Sequence, residues 1–537
     1  MAAEMAHPGH DLYAPPINPE SAQKSVEDLP TSNNSIPDLE KAQENADDAP
    51  VVDELLVEFN GPDDPDNPKN WTTRRRWGIT VVVGMLVFTV TFASSIFSVN
   101  IGVVEEKFQV TQVVATLGVA LFVLVRLPPK DSQEQELTRY RASYLVRSHS
   151  VPCPRSSDAV LPSSAATPCS PSSRPVAVAQ NITTVCVGRF LGGFFAAAPL
   201  SVVGGILADL WDPIPRSYAI CIFAAGGFAG PVAGPIAGGF IAESHLGWRW
   251  TSWITFIMAA AVGTLAFFFV PETSAPRILQ HRAAALRKET GNNDFHAKVD
   301  AEKLTLERVM TVYLIRPFVM LVQEPILALL TAYMSFLYGT VYLLFEAYPV
   351  AYHVQRGWTL GASQLPFIAF IVGIILGAAV IAYSTATNFT KAFNKHGKSI
   401  PEERLPPMIV GAVCLPVGLF WFGWTASPAQ CTSWVPSVLA TALIGIGCMV
   451  PFWQGMSYLI DCYGFYANSA IAVNTFVRSF FGAFFPLFTH AMYTKLGVAW
   501  ASSLLAFVCV AFLPVPVLFY VYGAKIRTRS KWAPTRM

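Results

Sequence analysis

Charged residues inside long apolar runs are the part of this chain with chemistry to do. Arg189 stands alone in the otherwise uncharged run 183–207, Arg478 lies near the middle of 469–491, and Glu324 and Glu346 bracket the run 319–344. A single charge at mid-membrane depth costs about 2.5–3.5 kcal/mol on insertion scales, so it is kept for a partner or a task. Arg189 is only about two turns into its run, which leaves both a buried partner and snorkelling to the interface open. Glu324 precedes Pro325 in the first turns of its span. It is either a carboxylate that titrates as its helix moves between dry and wet surroundings or an interfacial acid at a helix N-terminus. Glu346 reads as an outer-mouth residue able to attract a cation, His490 as a satisfied histidine near a helix end, and Asp461 as a structural loop acid. Tyr338, Tyr342 and Phe345 in one run and Phe452 and Trp453 in another line a cavity for hydrophobic or cationic molecules, or else face lipid and core.

The elements that position these residues follow from composition. Of 537 residues, 53% are hydrophobic and 14% charged. The mean hydropathy of +0.42 is that of an all-α polytopic membrane protein. Runs near the roughly 20 residues a bilayer requires cover 77–99, 183–207, 217–241, 250–270, 319–344, 364–384, 407–426, 434–459, 469–491 and 499–522. An eleventh begins at Thr111 and stops at Arg126. Nine cysteines lack zinc-ligand or disulfide spacing, and no nucleophile–base pair, metal-ligand spacing or phosphate loop points to an enzyme or to nucleic acid.

Residues 230–239 read Gly-Pro-Val-Ala-Gly-Pro-Ile-Ala-Gly-Gly. Gly230, Gly234 and Gly238 recur every four residues and share one helix face, where another backbone can approach closely. Pro235 removes a backbone donor in mid-span and bends or stiffens the helix there, and Gly239 doubles the final glycine.

Basic residues set the orientation. Arg74, Arg75 and Arg76 precede the first span, Arg277, Arg282, Arg287 and Lys288 crowd the middle loop, Lys391 and Lys395 follow 364–384, and Lys525, Arg527, Arg529 and Lys531 end the chain. The positive-inside rule places all of them, and both termini, in the cytosol. The expected organisation is an acidic disordered tail over 1–70, a helix bundle over 71–270, a cytosolic loop over 271–317, a second bundle over 318–523 and a basic tail over 524–537. Parity then demands an even number of spans before the middle loop, and five are visible. The sixth must lie between Arg126 and Asn181, an interval whose Arg-Leu-Pro-Pro-Lys-Asp-Ser-Gln-Glu-Gln-Glu start no bilayer accepts.

The glycine–proline string resembles the fifth-helix motif of drug:proton antiporters in the major facilitator superfamily. Asn67-Pro68-Lys69-Asn70-Trp71 is similar to the entry signature of fungal members, and Arg189-Phe190-Leu191-Gly192-Gly193 to the fourth-helix motif. Gly247-Trp248-Arg249-Trp250, Pro271-Glu272-Thr273, Arg316-Pro317 with Glu324-Pro325, Pro401-Glu402-Glu403-Arg404-Leu405-Pro406 and Tyr458-Leu459-Ile460-Asp461 extend the resemblance to the fungal twelve-span branch, close to polyamine and multidrug exporters. The resemblance implies two six-helix halves with inverted repeats, and proton-coupled efflux of a drug, polyamine or secondary metabolite by alternating access. It gives Arg189 the task of biasing a neighbouring carboxylate's protonation. It implies a monomer in the plasma membrane, or alternatively the vacuolar membrane. No cofactor beyond the proton gradient is expected, and no partners beyond lipid and a small hydrophobic or cationic substrate.

The other readings are an uptake symporter on the same fold and a non-transporting product of a frameshifted or mis-spliced gene. The last is raised by a departure: the Gly-x-x-x-Asp-Arg-x-Gly-Arg loop between the family's second and third helices is missing. The interval has about the family's length. Arg141 to His149 can be encoded by bases that, read one position later, give Gly-Pro-Leu-Ile-Trp-Ser-Ala-Leu, similar to the family's second helix. The second and third helices are therefore expected to be disrupted in this chain.

Overall fold

A computed structural model describes residues 55–61, 63–124, 176–297, 315–396 and 400–533. The expectations for the acidic tail before residue 55 and for the interval 126–174 fall outside these residues. All regular structure described is helical, apart from an isolated bridge between Leu56 and His296.

The first half contains α1 (Thr73–Ser95), α2 (Gln112–Leu124), α3 (Ile182–Leu210), α4 (Pro213–Glu243) and α5 (Arg249–Phe269). An amphipathic helix, α6 (Ala275–Thr290), follows it. The second half contains α7 (Pro325–Tyr348), α8 (Pro366–Ser384), α9 (Leu405–Ala426), α10 (Val435–Tyr463), α11 (Ala467–Phe512) and α12 (Pro514–Arg527). Eight helical stretches among the described residues are long and apolar enough to cross a membrane, and the described part of α2 covers 13 residues.

Local chemistry sets the ends. Proline opens α4, α7, α8, α9, α10 and α12, where its missing N–H belongs to the first turn's unpaired donors in any case. Asn181 caps α3 by accepting the Thr184 amide at 2.8 Å. α11 is two helices that meet at Gly497, whose φ of 74° suits glycine.

Two boundaries differ from the sequence reading. The first run was expected over 77–99, but its helix stops at Ser95. The Ser94 and Ser95 hydroxyls donate to the carbonyls of Thr91 (2.6 Å) and Phe92 (3.3 Å), competing with the helical ladder. The run 319–344 is broken at Glu324 (φ −108°, ψ 103°), because Pro325 disfavours helical geometry in the residue before it. Within each half α1 packs on α4, α7 on α11, and α10 between α8 and α9.

One end of the bundle gathers the basic residues. Arg404 Nε lies 3.1 Å from Asp461, Arg527 forms a two-pronged pair with Glu402 at 3.0 and 2.8 Å, and Arg76 stacks over Trp211. Beside it, Arg282 on α6 reaches the buried Asp64 at 2.8 Å and Asp66 at 3.0 Å. The Arg282 guanidinium, helped by the amides of Asn60 and Asp66, holds the Asp64 carboxyl at about 2, below its ordinary 3.8. Because the folded value is depressed, this clip is at full strength above the ordinary carboxylate range and is lost as pH falls through about 4 toward about 2. Hydrogen exchange across 275–290 is therefore expected to show constant protection between pH 5 and 8, after correction for intrinsic rates, and reduced protection in Asp64→Asn throughout. Protection that falls between pH 8 and 5 would show that another group holds α6.

Candidate functional site

The glycine string has two working faces. A Cβ on Gly230 would lie 2.1 Å from Thr91 Oγ1 and 2.6 Å from the Phe88 carbonyl, and one on Gly234 would lie 2.2 Å from Ser95 Oγ and 2.9 Å from the Ile96 nitrogen. Gly238 meets the Ile96 carbonyl at 2.8 Å. These three therefore lay the α4 backbone directly on α1, with Pro235 buried between them. Gly239 faces the other way, where an added Cβ would lie 2.8 Å from Gly361 Cα in the second half. There the Gly361 amide donates to Glu243 Oε1 at 2.8 Å, so the halves touch at the end of the bundle opposite the basic one.

Arg189 is buried and does not snorkel. Its guanidinium donates to the carbonyls of Gly118 (2.7 Å), Ala93 (2.7 Å) and Ser94 (2.9 Å) and lies over the rings of Phe122 and Phe97. Ala93 and Ser94 are in the last turn of α1, whose carbonyls have no partner within the helix, so the arginine caps that helix with the sign its dipole favours. Gly193, one turn further along α3, would place a Cβ 2.2 Å from the Phe122 carbonyl. Arg189 and Gly193 thus hold α1, α2 and α3 together.

From Ser94 a hydrogen-bonded chain crosses into the second half. Because the Ser94 hydroxyl donates to Thr91, the Tyr342 hydroxyl donates to Ser94 Oγ at 2.7 Å, and Tyr338 donates to Tyr342 at 3.2 Å. Arg478 on α11 lies against Tyr338 and Phe452, with its guanidinium carbon 4.9 and 5.0 Å from the ring centroids. Phe452 packs edge-on against Phe228 of α4 (5.2 Å), and Trp453 lies near Phe223 (5.9 Å). Tyr338, Tyr342, Phe452, Trp453 and Arg478 therefore form one aromatic and cationic cluster at the seam. Phe345 turns from Tyr342 toward Phe367 and belongs to the core of the second half.

The two glutamates separate. Glu346 was expected at the outer mouth, but it is 7% exposed. Neither of its oxygens has a hydrogen bond of good geometry among the described residues, and the His490 backbone faces it from α11. It shares one face of α7 with Tyr338 and Tyr342 at four-residue spacing. Glu324 lies instead at the basic end, at the N-cap of α7. One oxygen accepts from the Tyr463 hydroxyl (3.3 Å) and the other from the Lys531 amide (3.2 Å), the arrangement of an interfacial helix-end acid.

Phe223, Phe228, Ser94 and Glu243 were not singled out in the sequence. Glu243 alone had a readable signal: it is the acid that ends the glycine helix, four residues beyond Gly239.

Residues 167–486 match the Major Facilitator Superfamily. Over 518 residues the chain is 43% identical to the citrinin biosynthesis cluster MFS transporter mrr1 of Monascus ruber, covering 94% of this chain and 99% of that one. It is also 43% identical over 492 residues to the ascochitine biosynthesis cluster MFS transporter of Didymella fabae, covering 90% of each. The MFS-type transporter oryN of Aspergillus oryzae is 43% identical over 529 residues, 98% of this chain and 95% of that one. Among solved structures, the partially occluded inward open conformation of the xylose transporter XylE from E. coli aligns with a TM-score of 0.54 over 84% of this chain and 98% of that one. At 16% identity that likeness speaks for the fold alone. The relatives are transporters rather than enzymes, the fold is the all-helical facilitator fold, and the chain belongs to the Major Facilitator Superfamily.

Proposed function

We propose that this transporter is a proton-coupled exporter of small, flat, apolar or weakly acidic molecules, of the fungal twelve-span drug:proton antiporter type. The observation that carries the reading is the face of α7 that presents Tyr338 and Tyr342 at the seam between the halves, against Arg478 and Ser94, and carries the buried Glu346 one turn further along. Aromatic faces grip a flat cargo, and a buried carboxyl on the same helix takes up or releases a proton when rocking of the halves admits water. The cationic alternative is the weaker one, because Arg478 already occupies the faces of Tyr338 and Phe452. That two relatives are named for biosynthesis clusters supports a secondary metabolite as cargo. The glycine string supports export rather than uptake. Residence in the plasma membrane as a monomer, with cytosolic termini, belongs to the same proposal.

The test is accumulation of the neutral dye Nile red and the acidic dye fluorescein in a drug-sensitive fungal host. The chain is expressed as written and with residues 126–174 in the alternative frame. Lower accumulation that a protonophore abolishes supports the proposal, whereas accumulation that rises with the proton gradient would identify a symporter. Glu346→Gln is expected to abolish the gradient dependence of efflux, as befits loss of a positioned proton carrier, while dye-for-dye exchange persists. If net efflux and its gradient dependence survive in Glu346→Gln, the proton travels elsewhere.

A further inference from the structure

At the basic end a groove of about 730 Å³ runs between α7 and α12, outside the seam between the halves. Its wall is apolar and faces outward: Leu329 is 44%, Leu518 47% and Tyr522 53% exposed. Its rim is Lys525, Arg529 and Lys531, all exposed, and among the described residues no carboxylate lies within 4 Å of their charged side-chain groups, although Glu324 lines the groove. The acids nearby are committed. Glu402 pairs with Arg527, and Glu324 accepts from Tyr463 and from the Lys531 amide.

We propose that this groove binds one anionic phospholipid of the leaflet at the basic end, with its phosphate and carboxylate at Lys525, Arg529 and Lys531 and its first acyl carbons along Leu329 and Leu518. Charge complementarity and the outward-facing wall select that occupant. A soluble anion would meet the three cations but leave the apolar wall uncovered, and a zwitterionic lipid would leave the cations unpaired. The site also bears on transport, because Lys531 is tied through its amide to Glu324 at the start of α7, the helix of Tyr338, Tyr342 and Glu346. A bound lipid fixes the chain end against that helix.

Native mass spectrometry of the full chain, with residues 126–174 in the alternative frame, in detergent supplied with equal phosphatidylserine and phosphatidylcholine tests this directly. Phosphatidylserine is expected to be retained at least about fivefold over phosphatidylcholine, the preference that even one near-surface cation supplies. The triple variant Lys525→Gln, Arg529→Gln, Lys531→Gln is expected to fall to parity. Leu518→Trp, which fills the wall and keeps the charges, is expected to lower retention of both lipids. Arg74→Gln, Arg75→Gln, Arg76→Gln, at the same end of the bundle, is expected to keep the preference. Parity in the wild type, an undiminished preference in the first triple variant, unchanged retention in Leu518→Trp, or loss of preference in the Arg74–Arg76 variant overturns the proposal. So does displacement of the lipid by millimolar glycerophosphoserine, which would make the site one for soluble phosphates.

Discussion

In the chain with residues 126–174 in the alternative frame, Gly234→Leu is expected to abolish transport, by a hundredfold or more, since an ångström of misplacement at a working site already costs about that much. A Cβ alone would stand 2.2 Å from Ser95 Oγ and 2.9 Å from the Ile96 nitrogen. The hydroxyl can rotate; the backbone nitrogen cannot, so α1 and α4 must separate. The damage does not stay local. The last turn of α1 carries the Ala93 and Ser94 carbonyls that hold Arg189 and the Ser94 hydroxyl that receives Tyr342. Moving α1 therefore loosens both the arginine and the tyrosine chain. Gly78→Leu, on α1 itself with nothing within 4 Å, is the control and should transport normally. Gly239→Leu should behave differently, because its neighbour is Gly361 in the other half: the halves stay folded while the end opposite the basic one fails to close. Dye efflux normalised to the amount of protein at the surface distinguishes the three. Wild-type efflux by Gly234→Leu would show that the close approach of α4 to α1 is dispensable.

What the sequence disclosed follows from what each feature needs. Close backbone packing needs only the absence of side chains at fixed spacing, so Gly230, Gly234 and Gly238 were readable in full. A charge in an apolar run is conspicuous whatever surrounds it, so Arg189 and Arg478 were readable as residues of interest. Their partners were not, because carbonyls from α1 and α2 and rings from α7 and α10 come from distant parts of the chain. Depth along a helix was legible and burial was not. Glu346 was placed correctly near the end of its span but wrongly at an open mouth, since α11 covers it. For Glu324 the run 319–344 reads as unbroken and leaves two alternatives open, and its place at the N-cap of α7 fits the interfacial one. The contact between Glu243 and Gly361 joins residues of opposite halves, and no local pattern encodes it.

The largest effect is expected from residues 126–174. Expressed with the sequence as written, the chain should neither insert stably nor lower dye accumulation. With that interval read in the alternative frame it should do both. The apolar run that contains α2 begins at Thr111 and stops at Arg126, short of the roughly 20 residues a bilayer requires. The start of this helix is nonetheless placed to work: Gly118 accepts from Arg189, and the Phe122 carbonyl receives the close approach of Gly193. In the sequence, this run passes directly into Arg126-Leu-Pro-Pro-Lys-Asp, charges and prolines that a spanning helix in lipid does not accept. The interval is not an insertion, since the Monascus ruber relative aligns over 99% of its own length with 94% of this chain. The superfamily match also begins only at residue 167, inside the interval. Rereading Arg141–His149 one base later gives Gly-Pro-Leu-Ile-Trp-Ser-Ala-Leu, an apolar stretch inside the interval where parity requires a further span. Sequencing the spliced message decides the origin, and efflux by the two versions decides the consequence. A message that encodes Arg126 to Arg174 as written, together with normal efflux by that chain, would sink the idea.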